Sequence, residues 1–211
     1  TYLRNKLFDC GIIKQKSHPV KIISVGNIRV GGTGKTPFVE YLIKALSPYF
    51  NLAILSRGYG RKTKGFIHLQ PHHSASEVGD EPLLIYKRNP NTFVAVCEER
   101  NKGVENILKI SPKTNLIILD DAYQHRYINR DINILLTEYN RPFFKDRVIP
   151  YGRLREYRKG YKRASYIVVT KCPPLNEKQK QDFVLKLKPL PHQKIFFSNI
   201  VYKLPYHIKN K

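Results

Sequence analysis

Two hydrophobic periods alternate along this chain, and they predict strands and helices in turn. Apolar, β-branched runs predict strands at residues 20–25, 51–56, 92–96, 115–121, 132–137, 165–170 and 194–201. Between them, apolar residues recur at helical spacing in residues 38–46, 80–86, 100–110 and 177–187. This alternation is typical of a mostly parallel sheet with helices on both faces. The sequence therefore predicts an α/β fold that binds its ligands at the carboxyl ends of the strands.

A glycine-rich stretch follows the first predicted strand and leads directly into the first predicted helix after it. It comprises Arg29, Val30, Gly31, Gly32, Thr33, Gly34, Lys35 and Thr36. Strand, glycine loop and helix in this order predict a phosphate-binding loop and hence a P-loop NTPase-like fold that binds ATP and Mg²⁺. Lys35 would reach the β- and γ-phosphates, and the Thr36 hydroxyl would bind Mg²⁺. One position departs from the usual pattern, because Arg29 stands where a glycine is expected.

Two acidic pairs stand at the ends of predicted elements. Asp120 and Asp121 close an apolar strand, which is where nucleotide-binding sheets carry the acid that holds Mg²⁺. Asp80 and Glu81 open a predicted helix, where acids also stabilise the helix through capping and its dipole. A structural role and a role as base or metal contact therefore both remain open for the second pair.

The composition is strongly basic. Lys and Arg number 38 against 16 Asp and Glu, which gives a net charge of +22 and favours an anionic partner: nucleic acid, a membrane surface or a phosphorylated substrate. The three cysteines are widely spaced, which argues against a disulfide framework and against a zinc site. No apolar run approaches the roughly 18 residues of a membrane span. The chain contains no Met, so we expect it to be a fragment of a longer protein.

Three basic segments need separate interpretation. Residues 1–16 combine cations with an apolar stripe, which suits a helix at a membrane interface and a helix packed on the domain equally well. Residues 57–65 place cations among glycines, as a loop that wraps phosphate would, although a solvated turn is the alternative. Residues 153–163 interleave cations with tyrosines and contain one Glu, which favours contact with phosphate or nucleic acid over a solvated helix face.

Five ordered motifs carry a resemblance to a known family. They are Ser24-Val25-Gly26-Asn27 with Val30-Gly31-Gly32-Thr33-Gly34-Lys35-Thr36-Pro37, Ser56-Arg57-Gly58-Tyr59-Gly60-Arg61, Gly79-Asp80-Glu81-Pro82, Leu119-Asp120-Asp121-Ala122-Tyr123-Gln124-His125 and Gly152-Arg153-Leu154-Arg155-Glu156. In order and spacing they resemble the tetraacyldisaccharide 4′-kinases of Gram-negative bacteria. The resemblance implies transfer of the ATP γ-phosphoryl group to the 4′-hydroxyl of a tetraacylated glucosamine disaccharide 1-phosphate, which gives lipid IVA in lipid A biosynthesis.

The resemblance also implies roles for individual residues. By motif position, Asp80 looks like the general base for the sugar hydroxyl, with Glu81 beside it as a metal contact. The other implied groups are the metal or base-supporting acids Asp120 and Asp121, the cations Arg100 and Arg155 near the phosphates or substrate, and Glu156 near the nucleotide or metal. Lys35 is the catalytic cation of the phosphate loop.

Family members carry a membrane segment at the N-terminus and a second α/β lobe. We therefore expect a basic amphipathic segment at residues 1–18, a P-loop kinase domain at 19–200, and a tail or the start of a second lobe at 201–211. The expected partners are the acylated disaccharide 1-phosphate and the anionic cytoplasmic face of the inner membrane, with no nucleic acid and no protein partner. A basic P-loop ATPase switch that binds nucleic acid stays open as the alternative, because its loop and charge would look similar.

Overall fold

A computed structural model describes residues 2–201 of the chain, in which strands and helices alternate. The strands are β1 (Lys21–Gly26), β2 (Leu52–Ser56), β3 (Ile67–His68), β4 (Phe93–Val96), β5 (Leu116–Asp120), β6 (Ile132–Glu138), β7 (Tyr166–Thr170) and β8 (Lys194–Phe197). The helices are α1 (Tyr2–Asp9), α2 (Lys35–Leu46), α3 (Ala75–Val78), α4 (Asp80–Arg88), α5 (Arg100–Ile110) and α6 (Glu177–Leu187). Short 3-10 helices cover Phe143–Lys145 and Arg158–Arg163.

The strands form one sheet in the order β3-β4-β2-β5-β1-β6-β7-β8. Every neighbouring pair is parallel except β3 with β4. β1 lies between β5 and β6, with Val25 opposite Asp120 and Gly26 opposite Leu135. Because parallel strands end at the same edge, the loops that follow β1, β5, β6 and β7 meet there. The predicted α/β class with a mostly parallel sheet is confirmed.

Helices cover both faces of the sheet, as the residues of β5 show. Leu116 and Ile118 join an apolar cluster that contains side chains of α2 and α4. Ile117 and Leu119 join a second cluster, which contains side chains of α5. Since side chains alternate along a strand, consecutive apolar residues of a central strand must be buried on opposite faces. This explains why the sequence of β5 is continuously apolar up to Asp120.

The helix α1 packs on the domain. Phe8 is buried, and the Arg126 guanidinium lies over its ring, 4.9 Å from the centroid, while Arg126 Nη2 donates to Asp9 at 2.7 Å. The packed-helix interpretation is therefore confirmed for Tyr2–Asp9, although Tyr2 and Leu3 stay exposed. Within residues 2–201, no helix has the length and apolar character needed to cross a membrane.

The observed elements differ from those expected from the sequence at three places, and a fourth expected segment lies outside the description. β8 ends at Phe197 rather than at residue 201, because its neighbour β7 already ends at Thr170. β3 and α3 were not predicted, since two and four residues are too few to show a period. The disfavoured alternative of one helix over residues 153–163 is not seen, because Leu154 pairs with Arg29 in an antiparallel bridge and only Arg158–Arg163 form a 3-10 helix. The predicted tail or second-lobe segment lies, from residue 202 onward, outside the described residues.

Candidate active site

The phosphate loop joins β1 to α2 at the carboxyl edge of the sheet. Gly34 adopts left-handed dihedrals, and within the described chain no side chain caps the helix that begins at Lys35. The first N–H groups of such a helix have no partner inside it and bind anions readily. Gly31 has a φ of 115°, and no atom lies within 4 Å of a Cβ built on Gly31 or Gly32. The loop therefore leaves open space for phosphate in front of the helix.

Arg29 occupies the position where the usual pattern has a glycine. Its backbone pairs with Leu154, and the neighbouring Val30 N–H donates to Arg153 at 2.7 Å. Glycine is required where the backbone turns left-handed, and Arg29 is not among the residues with positive φ. Its side chain binds two carboxylates, with Nε 2.8 Å from Asp146 and Nη1 3.2 Å from Glu138.

Asp120 is a buried carboxylate at the end of β5. It is 1% exposed; its Oδ2 accepts from Ser56 Oγ at 3.3 Å, and its Oδ1 has no hydrogen-bond partner within residues 2–201. Burial, followed by repulsion from Asp121 and Glu81, raises the pKa of Asp120 to about 6. An unpaired buried oxygen of this kind is costly until a proton or a cation approaches it.

Asp121 leaves the strand with a φ of 47°, a conformation that Asp tolerates better than most residues. Both of its carboxylate oxygens accept from Arg155 Nη1, at 3.1 and 3.0 Å. Lys35 Nζ lies 3.7 Å from Asp121 Oδ1. The structure thus brings the predicted residues Lys35, Asp121 and Arg155 together at the start of α2.

These groups fit a magnesium nucleotide. Asp120 and Asp121 offer carboxylate oxygens, and Thr36 offers a hydroxyl in the first turn of α2. Mg²⁺ prefers oxygen ligands and is usually held by one or two carboxylates together with substrate phosphates and waters. Residues 2–201 contain no cluster of three or more His, Cys, Asp or Glu that could hold a metal ion.

Arg100 places a buried positive charge near both aspartates. Its Nη1 donates to the Cys97 carbonyl at 2.6 Å, and the residue is 2% exposed. Burial lowers the pKa of Arg100 to about 10, with Asp120 acting in the opposite direction. The guanidinium is therefore still protonated at neutral pH and partly offsets the negative charge of the aspartates.

Asp80 and Glu81 are exposed at the start of α4. The preceding Gly79 has a φ of 93°, and a Cβ there would lie 3.0 Å from the Tyr59 carbonyl, so the helix start packs tightly on the basic loop 57–65. Glu81 is near enough to raise the pKa of Asp120. No hydrogen bond holds Asp80 among the described residues, and its role as base stays a prediction.

Glu156 is 3% exposed and connects three parts of the chain. Its carboxylate accepts from Arg163 Nη2 at 2.8 Å, from Gln124 at 3.0 Å and from Asn5 of α1 at 3.0 Å. Gln124 Nε2 also donates to the Asn27 carbonyl at 2.8 Å. With both carboxylate oxygens engaged, Glu156 links α1 to the phosphate loop, and its direct contact with nucleotide or metal stays a prediction.

Three residues that hold the phosphate loop were not predicted from the sequence. Thr170 Oγ1 donates to the Thr33 carbonyl at 2.9 Å, and Lys171 Nζ donates to the Gly32 carbonyl. Lys171 also binds Glu138. All three lie at or just after the ends of predicted parallel strands, and that position was the signal that could have identified them.

Comparison with known proteins agrees with this geometry. The model of the tetraacyldisaccharide-1-P 4'-kinase family matches residues 1–202. The chain belongs to this family. The tetraacyldisaccharide 4'-kinase of Cytophaga hutchinsonii is 47% identical over 205 residues, which cover 96% of this chain and 58% of that protein. The one from Flavobacterium psychrophilum is 52% identical over 173 residues, covering 82% and 50%.

A crystal structure of LpxK from Aquifex aeolicus in complex with ATP shares the fold. Its TM-score is 0.75 at 44% identity, and the match covers 80% of this chain and 53% of that chain. The predicted P-loop architecture and the predicted family are therefore confirmed. The chain spans about half the length of the curated relatives it matches.

Proposed function

We propose that the protein containing this chain is an ATP-dependent tetraacyldisaccharide 4′-kinase and that this chain supplies its nucleotide site. It would transfer the γ-phosphoryl group to the 4′-hydroxyl of the acylated glucosamine disaccharide 1-phosphate. The observation that carries the proposal is the meeting of Lys35, Asp121 and Arg155 at the start of α2, next to buried Asp120. The family match supports the choice of acceptor.

The residues divide the chemistry between them. The N-terminus of α2 and Lys35 would bind the β- and γ-phosphates, where Lys35 offsets charge that develops during transfer. Thr36, Asp120 and Asp121 would hold Mg²⁺, which neutralises phosphate charge when bound. Arg155 holds the Asp121 carboxylate through two hydrogen bonds. Asp80 would accept the proton of the 4′-hydroxyl, because a sugar hydroxyl is a poor nucleophile until its proton is removed.

We further propose that α1 faces an anionic membrane, at the cytoplasmic side of the bacterial inner membrane. Its Tyr2 and Leu3 side chains are 54% and 70% exposed, although Phe8 on the same helix is buried. Lys6 lies over the Tyr2 ring, so a cation accompanies the exposed apolar pair. Apolar side chains next to cations are what an anionic lipid surface binds, and the net charge of +22 supports the same partner.

A labelled phosphate-transfer assay tests the kinase proposal. We expect Lys35→Ala in the full-length protein to lower turnover with γ-labelled ATP and the acylated disaccharide by about a hundredfold or more, as loss of a group that stabilises transition-state charge does. Lys44→Ala, an exposed lysine in the last turn of the same helix, is the matched control. Near-normal turnover in Lys35→Ala would rule out the phosphate-loop assignment.

A further inference from the structure

A single carboxylate at the end of β6 connects two points of the phosphate loop. Glu138 Oε2 accepts from Arg29 Nη1 at 3.2 Å, and Glu138 Oε1 accepts from Lys171 Nζ at 2.5 Å. The same ammonium group donates to the Gly32 carbonyl. The start of the loop at Arg29 and its middle at Gly32 are therefore joined through Glu138 and Lys171.

This connection is shielded from solvent at Arg29 and Glu138, whereas the Lys171 side chain is 44% exposed. The side chains of Arg29 and Glu138 are 11% and 13% exposed, and Asp146 supplies Arg29 with a second carboxylate at 2.8 Å. Charge-assisted hydrogen bonds in such surroundings are strong and directional, and removal of one partner leaves a charge unpaired. Lys171 itself has a φ of 54°, an unfavourable backbone conformation for a lysine. Surrounding contacts must maintain it.

The contacts control the direction of peptide groups in the loop. In a trans peptide, the carbonyl and the next N–H point in opposite directions. Lys171 holds the Gly32 carbonyl, and Thr170 Oγ1 holds the Thr33 carbonyl at 2.9 Å. The Gly34 N–H is therefore directed away from the end of β7, while the Thr33 N–H bonds within the loop to the Gly31 carbonyl at 2.9 Å. A donor fixed before binding needs no reorganisation when an anion arrives.

We propose that Arg29, Glu138 and Lys171 are positioning residues, which together form an ionic clamp that holds the phosphate loop in its nucleotide-binding conformation. The inference rests on the proposed ATP site and adds the residues that shape it. It also gives the departure from the glycine pattern at position 29 a role, since the Arg29 side chain reaches both Glu138 and Asp146.

The test is direct Mg-ATP binding and steady-state kinetics on the full-length protein, with Glu138→Gln and Lys171→Met. We expect each variant to weaken ATP affinity by about tenfold or more, the effect of losing a hydrogen bond to a charged group. The KM for ATP should rise more than kcat falls, because the clamp shapes binding and does not touch the reacting atoms. Lys171→Arg, which keeps the charge, should stay within about threefold of the unchanged protein.

Glu105→Gln is the matched control, because it breaks an exposed ion pair with Lys16. The side chains of Lys16 and Glu105 are 58% and 40% exposed. Should Glu138→Gln fail to fold by circular dichroism, Lys171→Met decides the question, since the Lys171 side chain is 44% exposed. Unchanged ATP affinity in folded Lys171→Met overturns the clamp while leaving the kinase proposal intact. Absence of ATP binding in the unchanged protein overturns both.

Discussion

Asp120 shows how a residue can serve function at the expense of stability. Its carboxylate is fully buried, one oxygen has a single hydroxyl partner, and the other has none among the described residues. In the absence of ligand this charge opposes folding, because burial and the neighbouring acids Asp121 and Glu81 disfavour the ionised form.

We therefore expect Asp120→Asn to melt at a higher temperature than the unchanged chain at about pH 8 without nucleotide or magnesium. The pKa of about 6 lies above the ordinary 3.8, a difference of about 2 units and at most about 3 kcal/mol. The penalty is complete above the folded pKa and disappears as the pH falls below the unfolded pKa, so the gain should shrink toward about pH 4. Calorimetric melting at both pH values measures it, with exposed Asp182→Asn as control. A lower melting temperature for Asp120→Asn at the higher pH would contradict this account.

Asp80 and Asp121 have different proposed roles: Asp80 is the base, and Asp121 is a ligand of Mg²⁺. Asp80→Asn should lower kcat strongly while ATP affinity stays within about threefold, roughly 0.7 kcal/mol. Asp121→Asn should also weaken the binding of Mg-ATP, because Asp121 contacts both Arg155 and Lys35. Steady-state kinetics and nucleotide binding on both variants measure the difference. If Asp80→Asn keeps most of its kcat, or loses ATP binding as badly as Asp121→Asn, the base must be another group.

At the scale of elements, α1 presents two different faces. Phe8 and Asp9 hold it to the domain through Arg126, whereas Leu3 is exposed. We expect Leu3→Ser to weaken flotation with anionic liposomes, because burying a leucine is worth about 1.5–3 kcal/mol. Leu185→Ser on α6 is the matched control, since Leu185 is 72% exposed and Leu3 70%. Equal flotation of both variants would exclude this face of α1 as a lipid contact.

Elements with a long hydrophobic period could be predicted from the sequence. The bounds of α5 and α6 match the prediction, and α6 begins at a capping box of Asn176 and Gln179. Residues 153–163 could not be predicted in the same way. Leu154 pairs with Arg29, which is distant in sequence, and Arg163 forms an ion pair with Glu156 within the segment. Both contacts depend on the tertiary fold. Periodicity reports local burial and carries no information on such contacts.

At the scale of the whole molecule, sequence patterns likewise identify the contiguous parts of the site and not the parts that tertiary contacts bring together. The phosphate loop and the Asp120–Asp121 pair are each contiguous in sequence, so motifs identify them. The clamp of Arg29, Glu138 and Lys171 depends on β6 and β7 lying in order beside β1, and the sequence does not reveal strand order. The groups proposed to meet phosphate, and Arg29 beside them, can therefore be found from the sequence, whereas Glu138 and Lys171, which hold the loop, cannot.

The distance along the chain between these parts has a consequence for biosynthesis. The Thr33 carbonyl bonds to Thr170, 137 residues later, and the Gly32 carbonyl bonds to Lys171, 139 residues later. A ribosome makes the phosphate loop before the partners that shape it, which appear only after most of the described strands have been made. Contacts of such long separation form late and slowly. The nascent chain therefore passes through translation with an unfinished phosphate loop, and the proposed ATP site is complete only when β7 has joined the sheet.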